Sequence, residues 1–435
     1  MHDKAIFASN YCQRGETPQA ALHRVAGTLA SNDEHFTKLH SLLNSGKFWP
    51  SGRILANVGT LKSATPVSCF ASGPIPDSIQ GIMQRATEAA ETMRMTGSVG
   101  YDLSTLRPEG WGSGAGKAAG PCEFARIFDA VGQVIQSGGR RGVQLATLRI
   151  DHPDIESFIH ATYGTVRKAV AVTDEFMQAL TDNRKAPLKW QGRAVSDVRA
   201  RDLWEILMRQ IYVTTEPYLL FTDRINRLNP LHYAETITTA NPWLEQPLPA
   251  YGSCPLGSFN LSVGDLLTRE DVEVALEAMD NLIDLATYPL PEQARMARAT
   301  RRVGLGVMGL WGDADTRLQC LGELRTLLRA ASKRLAISRG AFPMQASGET
   351  PRRHSHLMSI APTETIAAAA GVSAGLTFGL PAHEQIDLLG DASSIVDGGI
   401  ASQITVSSKL PWQDFQGLSL RAWTRGAKAL RVRVV

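Results

Sequence analysis

Val303-Gly304-Leu305-Gly306-Val307-Met308-Gly309-Leu310 is an uncharged run with a glycine at every second or third position. Glycines spaced that way inside an apolar segment predict a buried strand whose backbone another part of the chain approaches closely. On its C-terminal side the spacing predicts a helix over Glu323–Arg339, stopped by Gly340. On its N-terminal side the 3.6-residue period predicts a helix over Asp271–Ala286, and a further one over Arg201–Tyr212. Strand-like segments precede these at Val143–Ile150 and Ala169–Thr173. Two more amphipathic helices are expected at Asp77–Met95, with Ile79, Ile82, Met83, Ala86, Ala90 and Met93 on one face, and at Pro121–Gln136, with Phe124, Ile127, Phe128, Val131 and Ile135. Helices alternating with strands place the chain in the α/β class. No internal repeat interrupts it, so the reading is a helical N-terminal segment over 1–50 and one continuous α/β body over 51–435.

The 435 residues carry 45 Lys and Arg against 42 Asp and Glu, a net charge of +3, which argues against a surface built to coat nucleic acid. The cysteines Cys12, Cys69, Cys122, Cys254 and Cys320 are odd in number and form no CxxC pair. That pattern argues against a secreted disulfide framework and a structural zinc site, and for a reducing cytoplasm. The histidines are scattered, so no metal is expected. The uncharged run Thr365–Ala382 is rich in Ala, Gly, Ser and Thr. It falls short of the roughly 20 apolar residues of a membrane span. The N-terminus lacks the apolar core of a signal peptide.

Several segments can carry chemistry. Arg140 and Arg141 sit in the glycine-flanked turn SGGRRG, which suits a phosphate or a plain solvated turn. Pro362, Thr363, Glu364 and Thr365 open the Ala-rich run IAPTETIAAAAG, where a helix start offers free N–H groups and hydroxyls. The competing reading is a structural helix capped by Thr363. Cys69 in TPVSCF and Cys254 in YGSCPLG stand among apolar residues, and by composition alone they read as packed small hydrophobes. Asn241, Trp243 and Glu245 lie on the proline-rich stretch ANPWLEQPLPAYGSC, a polar pair bracketing an aromatic on a loop.

Taken in order, WPSGRILANVG, TPVSCF, GYDLSTLRPEG, SGGRRGVQLATLRIDHPDIESFI, NPWLEQPLPAYGSCPLGSFNL, RRVGLGVMGL and SIAPTETIAAAAGVSAG resemble the catalytic (large) subunit of ribonucleotide reductase, most of all its adenosylcobalamin-dependent class II form. The resemblance runs from about Arg14 to about Lys428. It implies a ten-stranded α/β barrel of two five-stranded halves with a central finger loop. The implied activity is reduction of ribonucleotides to deoxyribonucleotides for DNA precursor synthesis, with adenosylcobalamin as cofactor and a thioredoxin-like reductant. It also implies a homodimer formed through the helices near Asp77–Met95 and Pro121–Gln136. By the same resemblance Cys69 and Cys254 are the reducing pair that ends as a disulfide. Asn241 and Glu245 hold the ribose hydroxyls, with Glu245 as general base. Ser68 and Pro362, Thr363, Glu364, Thr365 and Ile366 contact the ribose and phosphate.

Four departures accompany the match. The family's finger loop reads Asn-Pro-Cys-Gly-Glu, and its cysteine becomes the thiyl radical; here the loop is Asn241-Pro242-Trp243-Leu244-Glu245. An indole has no S–H bond to break and re-form, so Trp243 at the radical-cysteine position is expected to block the family chemistry. Ala427 and Ala429 stand where the family has cysteines, so re-reduction of the disulfide is expected to stall. The His160–Val170 loop reads as short, with Arg167–Ala169 in place of polar specificity residues. Ser98 replaces a glycine that lets backbone meet the substrate. Two functions follow as expectations: a divergent reductase, or an inactive nucleotide-binding or regulatory partner that pairs with an active reductase as a heterodimer.

Overall fold

Three helices lead the chain, each started by a side chain that accepts from otherwise unpaired N–H groups. Asp3 accepts from Ala5 and Ile6 before Lys4–Tyr11, Thr17 from Ala20 before Pro18–Leu29, and Asn32 from His35 before Asp33–Asn44. Leu22, Val25, Ala26 and Leu29 of the second helix and Leu39, Leu42 and Leu43 of the third are buried in the core. The computed structural model describes residues 3–112, 116–137, 140–141, 143–263 and 267–435.

The body is built on a seven-stranded sheet in the order Ser253–Cys254, Cys69–Ala71, Ser98–Asp102, Gln144–Arg149, Val166–Val172, Tyr218–Phe221, Ala429–Leu430. The five inner strands are mutually parallel, and the two outer ones run antiparallel to their neighbours. Parallel neighbours need crossovers, and the chain supplies helices for them. Ile79–Arg94 follows Cys69–Ala71, Gly120–Val134 follows Ser98–Asp102, and Ala200–Thr214 precedes Tyr218–Phe221. A second sheet joins Phe48–Pro50, Leu256–Asn260 and Gly304–Met308. Single parallel bridges, Leu305 with Met358 and Ile360 with Ile400, carry its pairing on to two further segments. Besides these two sheets the described residues form four two-stranded ladders, and no single continuous ten-stranded ladder joins them.

The glycine-spaced run behaves as its spacing predicts. A Cβ on Gly306 would lie 2.4 Å from the Ser359 carbonyl oxygen, and one on Gly304 2.6 Å from Gln246 Nε2. Helices expected at Asp77–Met95, Pro121–Gln136, Arg201–Tyr212 and Asp271–Ala286 occupy Ile79–Arg94, Gly120–Val134, Ala200–Thr214 and Arg269–Leu285. The helix expected from Glu323 begins instead at Ala314, where Asp313 accepts from the Thr316 N–H. Gly322 lies inside it although no close neighbour requires a glycine there, since a Cβ would meet nothing within 4 Å. The loop read over His160–Val170 ends at Thr165, since Val166 already belongs to a strand. Asp129 fixes that short link by accepting from the Gly164, Thr165 and Val166 N–H groups. Arg167 pairs with Glu216, and Lys168 Nζ donates to the Phe158 and Ile159 carbonyls. Of the SGGRRG turn, residues 138, 139 and 142 and the side chains of Arg140 and Arg141 lie outside the described residues. No described helix is long and apolar enough to cross a membrane.

Candidate active site

The Asn241–Glu245 segment is the tip of a hairpin whose arms, Thr239–Ala240 and Pro247–Leu248, pair antiparallel. Asn241 closes the tip through its own backbone and side chain. Its N–H donates to the Gln246 carbonyl at 2.9 Å, and its Oδ1 accepts from the Gln246 N–H at 3.0 Å. Leu244 takes a positive φ of 71° at the bend. The hairpin is gripped from both sides where glycines admit its backbone. A Cβ on Gly100 of the main sheet would lie 2.0 Å from the Ala240 oxygen, and one on Gly399 2.3 Å from the Leu244 oxygen. Ser359 Oγ and the Gly399 N–H both donate to the Glu245 carbonyl. Gly100→Ala must therefore push the hairpin off the sheet. A loss of about 1–3 kcal/mol in denaturant unfolding is expected, as for other overpacked cores; an unchanged midpoint would contradict the grip.

Inside this frame Cys69, Asn241, Glu245 and Cys254 are all fully buried. Asn241 Nδ2 lies 2.8 Å from Glu245 Oε1 and 3.1 Å from Cys69 Sγ, and the Cys69 thiol faces Glu245 Oε1 at 3.7 Å. Glu245 Oε2 has no partner. Burial pushes the Glu245 carboxyl up to about 7. Burial, with the Glu245 charge beside it, also raises the Cys69 thiol well above its ordinary value, and burial raises that of Cys254. Both cysteines are free. Their spacing in sequence does not pair them, but the fold does: they stand opposite one another where Ser253–Cys254 pairs antiparallel with Cys69–Ala71.

A cavity of about 340 Å³ opens over Glu245, lined by Ser68, Trp243, Glu245 and the run Pro362, Thr363, Glu364, Thr365, Ile366. Expected site residues from three separate stretches thus share one space. Asn241, Cys69 and Cys254 lie outside its lining. Ser98 does not line it either; its hydroxyl donates to the Ser68 carbonyl at 2.7 Å. Thr363 stands before the Glu364–Ala370 helix, as expected of a cap, but caps nothing. It sits at φ 55°, and its hydroxyl accepts from the Gly375 N–H. Trp243 also borders, with Pro362 and Glu364, a second cavity of about 340 Å³ that reaches Phe378 and Arg431. Cys12, Cys122 and Cys320 line neither cavity. Among the described residues, no group of His, Cys, Asp and Glu could hold a metal ion.

Sequence reasoning missed Ser51, Gly52, Leu256–Ser258 and Ala361, which complete the first cavity. Their signal was present in WPSGRIL and in the glycine of CPLGSF, where a Cβ on Gly257 would strike the Phe48 ring.

Comparison with known proteins agrees with this architecture. Residues 5–63 match the all-alpha domain of ribonucleotide reductase, and residues 67–314 match its barrel domain. A vitamin B12-dependent ribonucleoside-diphosphate reductase of Mycobacterium tuberculosis is 36% identical over 77% of this chain and 53% of its own length. One of the same description from Thermoplasma acidophilum is 32% identical over 80% of this chain and 50% of its own. The chain spans about half the length of these relatives. With a helical lead, a parallel sheet behind a gripped hairpin, and matches to both domains in order, the chain belongs to the ribonucleotide reductase family.

Proposed function

We propose that the cavity over Glu245 binds a ribonucleotide and that this chain, as its sequence stands, does not by itself start the family's sugar-radical reduction. The observation that carries the reading is the gathering of Ser68, Glu245 and Pro362–Ile366 on one cavity walled by Trp243. Ser68 and the 362–366 run hold ribose and phosphate, and Asn241 orients Glu245 through Oε1. The unpartnered Oε2 is the atom that exchanges a proton with a ribose hydroxyl. A carboxyl titrating at about 7 suits that exchange near neutrality. Cys69 and Cys254 are the reducing pair. Opposed antiparallel residues stand about 4.5–5.5 Å apart at Cα, within the roughly 4.4–6.8 Å that a disulfide spans.

The relatives' names support adenosylcobalamin as the cofactor. When bound, it supplies a radical that the protein must relay to the sugar. The residues present do not fit that relay. The hairpin tip offers an indole, and no cysteine is among the described residues that line the cavity.

The same reading takes the two sheets as halves of one ten-stranded barrel over 51–435, following a helical segment over 1–50. It places dimer contacts on Ile79–Arg94 and Gly120–Val134, which expose Ile79, Met83 and Val134. It places the protein in the cytoplasm.

The test is incubation with ribonucleoside di- or triphosphates, adenosylcobalamin and a dithiol. Nucleotide is expected to raise the melting temperature, by the equivalent of about 2.7 kcal/mol at a hundredfold excess over Kd, with no deoxynucleotide formed. Trp243→Cys is expected to form deoxynucleotide. Product from the unaltered chain overturns the catalytic half of the proposal, and absence of stabilisation overturns the binding half.

A further inference from the structure

The Ala314–Arg339 helix carries two sets of basic residues. Arg334 and Arg339 pair with carboxylates of the Arg269–Leu285 helix, Glu273 in the first case and Glu277 and Asp280 in the second. Arg325, Arg329 and Lys333 have no such partners. They stand four residues apart along one face, and no acid lies three or four positions from any of them. Like charges at that spacing repel, so the stripe destabilises the helix unless something outside it supplies negative charge. The stripe borders two cavities of about 330 and 360 Å³ that share Arg329 and Arg352. Arg227 and Arg325 line the first, with Asp397 as its acid, and Lys333 lines the second, with Glu349. Most of these other charges are engaged. Arg227 pairs with Asp174 at 3.0 Å, and Arg352 lies 3.8 Å from Glu349 and over the Phe342 ring. Asp397 Oδ2 accepts from the Leu357 and Met358 N–H groups. Arg325 Nη1 reaches only the Ser394 carbonyl, at 3.3 Å, and its Nε is buried without a partner. Burial, followed by the Arg329 charge, holds the Arg325 guanidinium below its ordinary value, against the pull of Asp397. Among the described residues the side chains of Arg329 and Lys333 have no ion-pair or hydrogen-bond partner.

We infer that these joined cavities bind a small anion carrying two phosphates, a diphosphate, held by Arg325 and Arg329 in the added field of Lys333. Two guanidinium forks offer paired N–H donors to phosphate oxygens, and the orphaned Arg325 Nε gains an acceptor. A phosphoryl group carries about −1.5 to −2 charges at neutral pH, so two of them match three cations. Recognition is of the phosphates alone, because neither lining contains an aromatic ring on which a base could stack. Arg325 and Arg352 are half-buried in hollows, which suits a small anion better than the face of a nucleic acid. Neither cavity shares a lining residue with the one over Glu245, so the inference does not depend on the ribonucleotide reading.

Calorimetric titration with inorganic pyrophosphate tests this. The unaltered protein should bind it with a Kd below about 1 mM. The double variant Arg325→Gln/Arg329→Gln should bind about tenfold more weakly or worse, since two charge-assisted contacts are lost. Without ligand the variant should melt at or above the temperature of the unaltered protein, because a repelling pair is gone, and that readout verifies its fold. If it melts lower, Arg329→Gln alone, at an exposed position, carries the test with a loss of the same sign. A ribonucleoside diphosphate as a second probe separates the sources. A binding event lost with the double variant assigns the site to the diphosphate of a nucleotide, and none lost assigns it to free diphosphate; the pyrophosphate loss supports the site in both cases. Pyrophosphate that fails to bind the unaltered protein, or binds the variants undiminished, overturns the inference. Binding of duplex DNA in place of pyrophosphate overturns it as well.

Discussion

Replacing Asp280 with asparagine is expected to lower the free energy of unfolding by about 3–5 kcal/mol, the usual cost of leaving buried charges without their partner. Asp280 lies in the Arg269–Leu285 helix and is completely buried. Arg301 Nε reaches its Oδ1 at 2.7 Å, Arg339 Nη1 its Oδ2 at 2.8 Å, and Arg353 Nε its Oδ1 at 3.1 Å, with His354 Nε2 3.2 Å away. Burial works to raise this carboxyl, but the bonds and charges of His354 and Arg301 outweigh it and hold the pKa well below the ordinary 3.8. Asparagine keeps the shape, yet it turns an N–H₂ towards arginine donors and removes the charge they surround. The cluster also ties distant segments together, because Arg339 donates to Ser31 Oγ and Arg353 to the Arg339 carbonyl.

The sign of the pH dependence follows. A carboxyl whose folded pKa is depressed contributes stability that is fully present above the unfolded value and is lost as pH falls through the folded one. The unaltered protein should therefore weaken in acid, and the asparagine variant should lack that part of the loss. Urea unfolding at constant m-value reads both. A loss below about 1 kcal/mol would mean the arginines find other acceptors.

Glu245→Gln should act in the opposite direction, stabilising the protein above neutral pH. The folded carboxyl titrates at about 7 against an ordinary 4.5. Below 4.5 both states hold the proton and nothing is lost. Between 4.5 and 7 the unfolded chain releases a proton that the folded chain keeps, so stability falls as pH rises. Above 7 the penalty is complete, on the order of 3 kcal/mol. Glutamine presents the same acceptor to Asn241 Nδ2 and carries no charge to desolvate. Its stability should stay flat between pH 5 and 8.5, where that of the unaltered protein declines. The variant should still bind nucleotide but no longer exchange the ribose proton. Parallel pH profiles for the two proteins would show that Glu245 is not the buried titrating group.

Much of this architecture was legible because its signals are local. The stripe from Ile79 to Met93 repeats with the pitch of a helix, and that pitch is a property of the backbone. Gly304 and Gly306 announced a close neighbour, though not that Gln246 and Ser359 would be the neighbours. The start of the Ala314–Arg339 helix was less legible, because Gly322, a poor helix former at a half-buried position, interrupts the pattern. Thr363 was legible as a boundary and misleading as a cap, since its left-handed backbone carries the hydroxyl to Gly375.

The sequence by itself determined the α/β alternation, the helical lead, and the identity of the hairpin-tip residue. It also determined that no thiol stands at position 243, which no folding can change. Tertiary structure alone decided that Cys69 and Cys254 face each other and that Glu245 titrates near neutrality. It alone decided that Ser51, Ser68, Trp243 and Thr365 share a cavity. The physical reason is range. Periodicity and capping act within a few residues, whereas strand partnership, loss of solvent and the shape of a cavity depend on segments that only folding brings together.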